Sequence, residues 1–418
     1  MKRLSFLSFA ALLLLCAGGC KADFDKVNPY ENSLHTLEVR LVFPGKFSTL
    51  PAGGITVSAE NIDNGAVYSA LTDVDGKALL DLVNGLYRVS TSPVVSDEIF
   101  NGSEDGVRIA GEDRSVTLDL MYVKTGDIVI KEIYCGGCKM SPYEGNYQAD
   151  KYIILHNNTG STQFLDSLCF GSLSPYNSNA TNPWVTTDPE TGASVYKDFV
   201  PVIQAVWQFG GNGTTFPLNP GEDAVIAVNG AIDHSAQYPL SVDLNREDYF
   251  VCYNNTYFTN VSYHPAPGDR IRTDHYLNVV IKTGQANAYP LSINSPAVVI
   301  FKAKGRSIPD FVLEKDVVIP TPGSSIDNVV CIPNDWVIDA VEVFNGGASG
   351  NRKRIPPVLD AGFVFLSDVY LGHTLMRKVN AAKTEEEGFE VLVDTNNSSN
   401  DFYESQVQSL HKNANGNE

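Results

Sequence analysis

Short runs that alternate apolar and polar residues, each closed by Gly, Asp or Asn, set the limits on what this chain can fold into. Leu37-Glu38-Val39-Arg40-Leu41 puts three apolar side chains on one face and two charged ones on the other, the two-residue period of a half-buried strand. Ile55-Thr56-Val57-Ser58-Ala59 repeats the period. Leu71-Thr72-Asp73-Val74-Asp75-Gly76-Lys77-Ala78 inserts Asp and Gly where a chain reverses, and Asn84-Gly85-Leu86-Tyr87-Arg88-Val89 turns into a further strand. Val116-Thr117-Leu118-Asp119-Leu120 closes the series. Strands this short, separated by turns, predict a β-sandwich over 36–123.

A second β-rich region opens at Asp127-Ile128-Val129-Ile130-Lys131-Glu132-Ile133-Tyr134 and continues through Lys151-Tyr152-Ile153-Ile154-Leu155-His156-Asn157-Asn158. Pro217-Leu218-Asn219-Pro220-Gly221-Glu222 then leads into a strand from Ala224 to Val228. Further strands are expected at Leu277 to Ile281, Ala297 to Phe301, Val337 to Phe344 and Val391 to Val393. The chain therefore reads as all-β, a small sandwich domain followed by a larger one over 127–405, with a polar, frayed tail over 406–418. A chain of 418 residues with 43% apolar content is long enough for two cores.

The first twenty residues specify an address. Lys2 and Arg3 precede an apolar stretch from Leu4 to Leu15, too short to span a bilayer, and Ala17-Gly18-Gly19 leads small residues up to Cys20. This is the pattern of a signal peptide over 1–19 with Cys20 as the lipid-attachment residue. It resembles a lipobox, except that Ala17 stands where Leu is usual. Lys21, Asp23 and Asp25 begin a polar tether over 20–35, and this acidic stretch resembles the export signals of surface lipoproteins in Bacteroidota. An outer-membrane, lipid-anchored, surface-exposed location follows as the expectation.

Formal charge is −19, a field that repels nucleic acid and anionic lipid, and loss of Lys2 and Arg3 makes the mature chain more negative still. Of seven cysteines, Cys16 leaves with the signal peptide and Cys20 carries lipid, so Cys135, Cys138, Cys169, Cys252 and Cys331 remain in a compartment that permits disulfides. Cys135-Gly136-Gly137-Cys138 is the sharpest local motif, and Cys135 with Cys138 is the candidate disulfide. A metal site, a redox dithiol and free thiols stay open as alternatives. A redox pair would favour the start of a helix, and zinc would need two more ligands. Asp394, Asn396 and Ser398 alternate like calcium ligands, but Ser399 and Ser405 replace the Gly and the Glu such a loop requires, so a loop bonding its own backbone is the better account. His234, His264 and His275 share one loop-rich region without a ligand spacing. Trp184, Trp207, Trp336 and the many tyrosines could stack on sugars, though buried aromatics are the rule in β cores. No nucleophile, zinc-protease or phosphate-loop motif occurs, so no catalytic residue, resident metal or cofactor is assigned.

Thr72-Asp73-Val74-Asp75-Gly76 followed by Gly85-Leu86-Tyr87-Arg88-Val89 resembles the small prealbumin-like domain appended to carboxypeptidases and many surface proteins, an accessory module without catalytic residues. The strand ending Glu132-Ile133, the strand followed by Asn157 and the Pro220-Gly221-Glu222 turn resemble a lamin-tail-like domain. Ile154 and Leu155 stand where that family carries an acidic residue. Together with Asp394-Thr395-Asn396-Asn397-Ser398-Ser399-Asn400-Asp401-Phe402, the region 127–402 resembles an uncharacterised family of Bacteroidota lipoproteins. The resemblance implies a non-catalytic binding or accessory protein for a receptor that takes up nutrients or metals. A structural or adhesive surface protein and a hydrolase on glycan or peptide are the alternatives. Contacts are expected on the long loops 171–200 and 229–262, with 36–123 acting as an independent spacer. Cys20→Ala should release the protein from membrane fractions, because that thiol is the acceptor at the processing site; wild-type retention in the membrane pellet would contradict the anchor.

Overall fold

The computed structural model describes residues 33–411 apart from Asp97, Lys124, Glu190, Thr191 and Ser349. The signal peptide, Cys20 and nearly all of the tether lie outside the described residues. The chain is nearly all β, as its pattern predicts. The small domain uses β1 (His35–Val42), β2 (Thr56–Asn61), β3 (Val67–Leu71), β4 (Lys77–Leu82), β5 (Gly85–Thr91), β6 (Glu98–Ile109) and β7 (Arg114–Asp119). One sheet runs β4-β1-β7, with β1 antiparallel to β4 and parallel to β7. The facing sheet runs β3-β2-β5-β6, and short strands at Val94–Val95 and Met121–Val123 pair with β6. The alternating residues meet between the sheets: Leu37, Val39 and Leu41 pack with Val57, Ala59, Tyr87 and Phe100.

The larger body comprises β8 (Ile128–Tyr134), β9 (Tyr152–Asn157), β10 (Cys169–Leu173), β11 (Phe199–Gln208), β12 (Asp223–Ala227), β13 (Phe250–Val251), β14 (Asn278–Lys282), β15 (Ala297–Phe301), β16 (Val318–Pro320), β17 (Asn328–Pro333), β18 (Val337–Asn345), β19 (Val364–Leu366), β20 (Thr374–Arg377) and β21 (Phe402–Ser405). A six-stranded sheet runs β13-β12-β9-β8-β20-β21 and an eight-stranded sheet runs β16-β17-β11-β10-β15-β18-β19, with β14 also on β11. Between them lies a core that includes Ile130, Ile153, Leu155, Phe170, Trp207, Ile226, Ile300 and Val341. Both sheets are covered on their outer faces as well. Tyr134, Ile154 and Val225 lie under the loop residues Ala231, Val242 and Leu244, while Val202, Val299 and Val330 lie under Ile308, Phe311 and Trp336. Burial on both faces explains why β9 reads as a continuous apolar run rather than an alternation.

Two expectations at the chain's end are corrected. Val391 to Val393 forms no strand; Leu392 makes only an isolated bridge to Val379. The segment just after Gln406 is docked rather than frayed: Ser409 donates its amide to Glu132 Oε1 at 3.2 Å, and Gln408 donates to the Leu240 carbonyl at 3.3 Å. The buried Glu132 carboxylate also accepts from Tyr152 at 2.6 Å, so the segment completes a shell around a charge that burial would otherwise leave exposed to a low dielectric.

The small domain is docked on the body rather than acting as an independent spacer. Arg88, 8% exposed, pairs with Asp105 at 2.5 Å and Glu60 at 3.7 Å. Its guanidinium carbon lies 4.6 Å from the centre of the Phe363 ring and 5.6 Å from that of Phe344, both in the body. Asn101 donates to the carbonyls of Thr395 (2.7 Å) and Asn396 (3.0 Å), and Asn397 donates to Ser92 Oγ at 2.6 Å. Replacing Arg88 by Ala would leave a carboxylate pair without its cation and the phenylalanine faces without their cover. The expected cost is about 3–5 kcal/mol, read as a lower unfolding midpoint in denaturant together with new protease cleavage near residues 123–127. An unchanged midpoint and an uncut junction would show that docking does not depend on Arg88.

Candidate functional site: a cleft at the domain junction

The docked domains enclose a cleft of about 750 Å³, within the roughly 300–1,000 Å³ typical of ligand pockets. Its walls come from segments far apart in sequence: Tyr122, Phe164, Lys302, Trp336, Val358 and the strand residue Asp339. Tyr122 belongs to the last short strand of the small domain, and its ring lies 5.0 Å from that of Phe47 with the Lys46 ammonium 4.5 Å from the Tyr122 ring centre. Trp336 sits on the one-turn helix Asn334–Trp336 that leads into β18, packed 4.5 Å from the Phe311 ring. The Trp336 carbonyl accepts from the Lys302 amide at 3.0 Å, which fixes the turn beside the end of β15. Tyr122 and Val358 remain more than a third exposed, so the cleft keeps open apolar surface between its charged edges.

A buried charge cluster adjoins the cleft at Asp339. Arg377 donates to Asp339 Oδ2 at 2.5 Å, Asp394 Oδ1 at 3.1 Å and Asp401 Oδ2 at 3.4 Å, while its Nε reaches the Ile130 carbonyl at 2.8 Å. Three carboxylates surround one guanidinium. Burial raises the Asp339 carboxyl above its usual range and pushes that of Asp401 up to about 7, against the opposing pull of Arg377. Asp394 also accepts from the amide of Gly126, in the linker between domains, at 3.1 Å. A Cβ on Gly126 would stand 2.6 Å from the Ile338 carbonyl oxygen, so only glycine lets the linker pass this close. The residues read as calcium-like are thus part of a loop that serves Arg377 and its own backbone: Asp401 accepts from Thr395 N at 2.9 Å and Asn397 caps Ser399 N at 3.1 Å.

The cysteine motif follows directly on β8. Cys135 and Cys138 are both buried free thiols, and no bond joins them. Their side chains enter different environments: Cys135 belongs to the core between the sheets, whereas Cys138 Sγ lies 3.6 Å from Asp150 Oδ2, beside Tyr134 and Ser241. Gly137, at φ 72°, lets the chain pass so close to Tyr147 that a Cβ would meet that carbonyl at 2.1 Å. Burial pushes both thiols up to about 12, so neither is a thiolate at neutral pH.

The loops expected to carry contacts have other tasks over much of their length. In 171–200, Ser178 and Trp184 are buried, and the ribbon Thr186–Thr187/Ser194–Val195 abuts β6 of the small domain. In 229–262, Ala231, Val242 and Leu244 cover the six-stranded sheet, although Val261 stays 75% exposed. The three loop histidines have separate partners: His234 bonds Tyr147, His264 accepts from the Asn254 amide, and His275 stacks on Phe250. Among the described residues, His156, Asp223 and Glu390 do place ligand atoms within 4.8 Å of one another. Lys131 Nζ already occupies that group, 2.6 Å from Asp223 and 2.5 Å from Glu390, and both nitrogens of His156 are bonded. The arrangement is an ion-pair staple across β8, β9 and β12.

Residues 219–409 match a family model described as a protein of unknown function, DUF4876. The chain is also similar to the crystal structure of a DUF4876 family protein from Bacteroides thetaiotaomicron, with 25% identity and a TM-score of 0.56 over 88% of this chain and 94% of that one. A putative adhesin from Bacteroides ovatus (8% identity, TM-score 0.20, 78% of this chain and 92% of that one) and the major pilin SpaD from Corynebacterium diphtheriae (12%, 0.19, 41% and 48%) are similar at a level that carries no inference. No curated protein matches the chain. The resemblance to an uncharacterised family therefore stands for the 219–409 part of the body. Among the described residues no helix is long and apolar enough to cross a membrane.

Thiol counting checks the cysteine assignment. Five thiols should react in the lipidated protein once it is denatured without reductant, since all five described cysteines are free, and none should react while it is folded. A count of three, rising to five on reduction, would restore the Cys135–Cys138 bond.

Proposed function

We propose that this chain is a lipid-anchored outer-membrane protein displayed at the cell surface, where it serves as a non-catalytic binding and accessory protein for a nutrient or metal uptake receptor. On this reading the prealbumin-like domain and the lamin-tail-like body act together, because the cleft that receives the partner lies in the body with Tyr122 of the small domain at its edge. The observation that carries the proposal is that cleft: about 750 Å³ of open space with aromatic and aliphatic walls and lysine and aspartate edges, formed where two rigid sandwiches meet. Rigid walls lower the entropy cost of binding, which favours recognition over conformational chemistry. The buried ionisable groups beside the cleft are committed to the Arg377 cluster, which suits a scaffold. The net charge of −19 further favours neutral or cationic surfaces as partners.

The proposal is tested in cells by site-specific photocrosslinking. A photoreactive residue at Val358, on the cleft wall, should give one discrete adduct with an outer-membrane protein, and protease added to intact cells should remove the chain. The same residue at Val261, on the 229–262 loop, should give none. An adduct from Val261 alone would move the partner to the loops, and survival of the chain in protease-treated intact cells would place it inside the cell envelope.

A further inference from the structure

A second surface, apart from the cleft, gathers aromatic rings at the end of the body near the cysteine motif. The short hairpin Cys138–Lys139/Asn146–Tyr147 carries Tyr143 at its tip, 62% exposed. Tyr238, from the neighbouring loop, lies between: its ring centre is 4.4 Å from that of Tyr147 and 6.5 Å from that of Tyr143. Tyr370 borders the same hairpin, with Lys139 Nζ 5.8 Å from its ring centre and 2.8 Å from the Asn146 side-chain oxygen. Leu240 and Leu371, both more than 40% exposed, extend the apolar surface.

The ring on which Tyr238 packs is fixed by a hydrogen bond. His234 Nε2 donates to the Gly230 carbonyl at 2.7 Å, which leaves Nδ1 to accept the Tyr147 hydroxyl proton at 2.7 Å and so fixes that ring. Beneath the hairpin, the fully buried Asp150 accepts from Tyr134 at 3.0 Å and Ser241 at 2.5 Å, anchoring the Tyr238 loop to the sheet. Tyr370 adopts φ 62° while its amide donates to the Gly136 carbonyl at 2.8 Å. A bulky side chain in the left-handed region is strained, and here the strained backbone sets a tyrosine beside the hairpin.

We propose that Tyr143, Tyr238 and Tyr370 form a binding platform for neutral glycan chains. Such a surface needs a ligand that presents flat C–H faces to aromatic rings and hydroxyls to the surrounding donors and acceptors, which describes a pyranose ring. The phenol hydroxyls, the Lys139 ammonium and the Asn146 amide supply the polar rim. The acidic chain repels polyanions. Three tyrosines and two leucines are also far fewer than the roughly 20–30 residues a side of a stable protein–protein interface, a scale that suits a short stretch of glycan.

The test is native gel electrophoresis of the detergent-solubilised full chain through gels containing soluble neutral polysaccharides (starch, glucomannan, galactomannan, xyloglucan and laminarin), with polygalacturonate as the anionic control. Retardation by at least one neutral polysaccharide is expected. Tyr143→Ala should weaken it about ten-fold, the loss of one aromatic anchor. Tyr143→Trp should keep it. Because Tyr143 is exposed, the unfolding midpoint should not move in either variant, and Val358→Asp in the cleft should leave retardation intact. The proposal is overturned if no neutral polysaccharide retards the protein, if only polygalacturonate does, or if Tyr143→Ala binds as tightly as the wild type.

Discussion

Arg377 is the point on which the rest of this structure depends. One guanidinium ties β20 to β8 through the Ile130 carbonyl, to β18 through Asp339 and to the 394–401 loop through Asp394 and Asp401. Its flat face lies against Phe402, 4.6 Å from the ring centre. The six-stranded and eight-stranded sheets therefore share a buried ionic contact as well as an apolar core. Removing the arginine would strand three carboxylates in a low dielectric, a far larger penalty than losing any one of its hydrogen bonds. Planar geometry matters too, since a lysine ammonium could not reach partners on four sides at once.

The same cluster explains how two domains come to share a cleft. Asp394 holds the linker at Gly126, and the loop it begins presents the Thr395 and Asn396 carbonyls to Asn101 of the small domain. Asp401, which pins that loop, is bonded to Arg377 in turn. A chain of contiguous contacts thus runs from the centre of the body to the surface on which the small domain rests. Arg88 supplies the complementary hold from the other side, with its charge matched inside the small domain by Asp105 and Glu60 and its face on Phe363. Neither hold is a loose linker, so the walls of the cleft keep fixed positions. The small domain thereby keeps Tyr122 in place at the edge of a cleft built mainly by the body.

How much of this could be read from the sequence depended on how many faces of each strand are covered. In β1 one face is buried and the other solvated, so Leu37, Val39 and Leu41 announce the strand by their period. In β9 all six residues are buried, because loops cover the outer face of the sheet; period two disappears and only a short apolar run remains. Val391 and Leu392 form a run of the same kind yet make a single bridge, since apolar character alone does not say which partner a segment meets. The cysteine pair shows a related limit. Spacing reports how close two residues can come, but the directions of their side chains are set by the sheet that Cys135 ends and the hairpin that Cys138 begins.

The cleft and the tyrosine platform were illegible on stronger grounds. The cleft walls come from segments around 122, 164, 302, 336, 358 and 396, brought together only by docking and sheet order, and no local pattern marks Trp336 or Tyr122 as different from other aromatics. The platform joins the hairpin tip, the 233–241 loop and the 367–372 turn, which meet because β8, β9, β12 and β20 lie side by side in one sheet. Composition did carry one usable signal: an acidic β-rich chain with many tyrosines must either bury them or display them. Tyr87, Tyr134, Tyr152 and Tyr289 fill cores at full burial, whereas the other described tyrosines keep part of their surface open to solvent. Near the hairpin, the Tyr147 ring is fixed by its hydrogen bond to His234 and Tyr238 packs on it, while Tyr143 at the tip stays exposed and keeps a face available to a ligand.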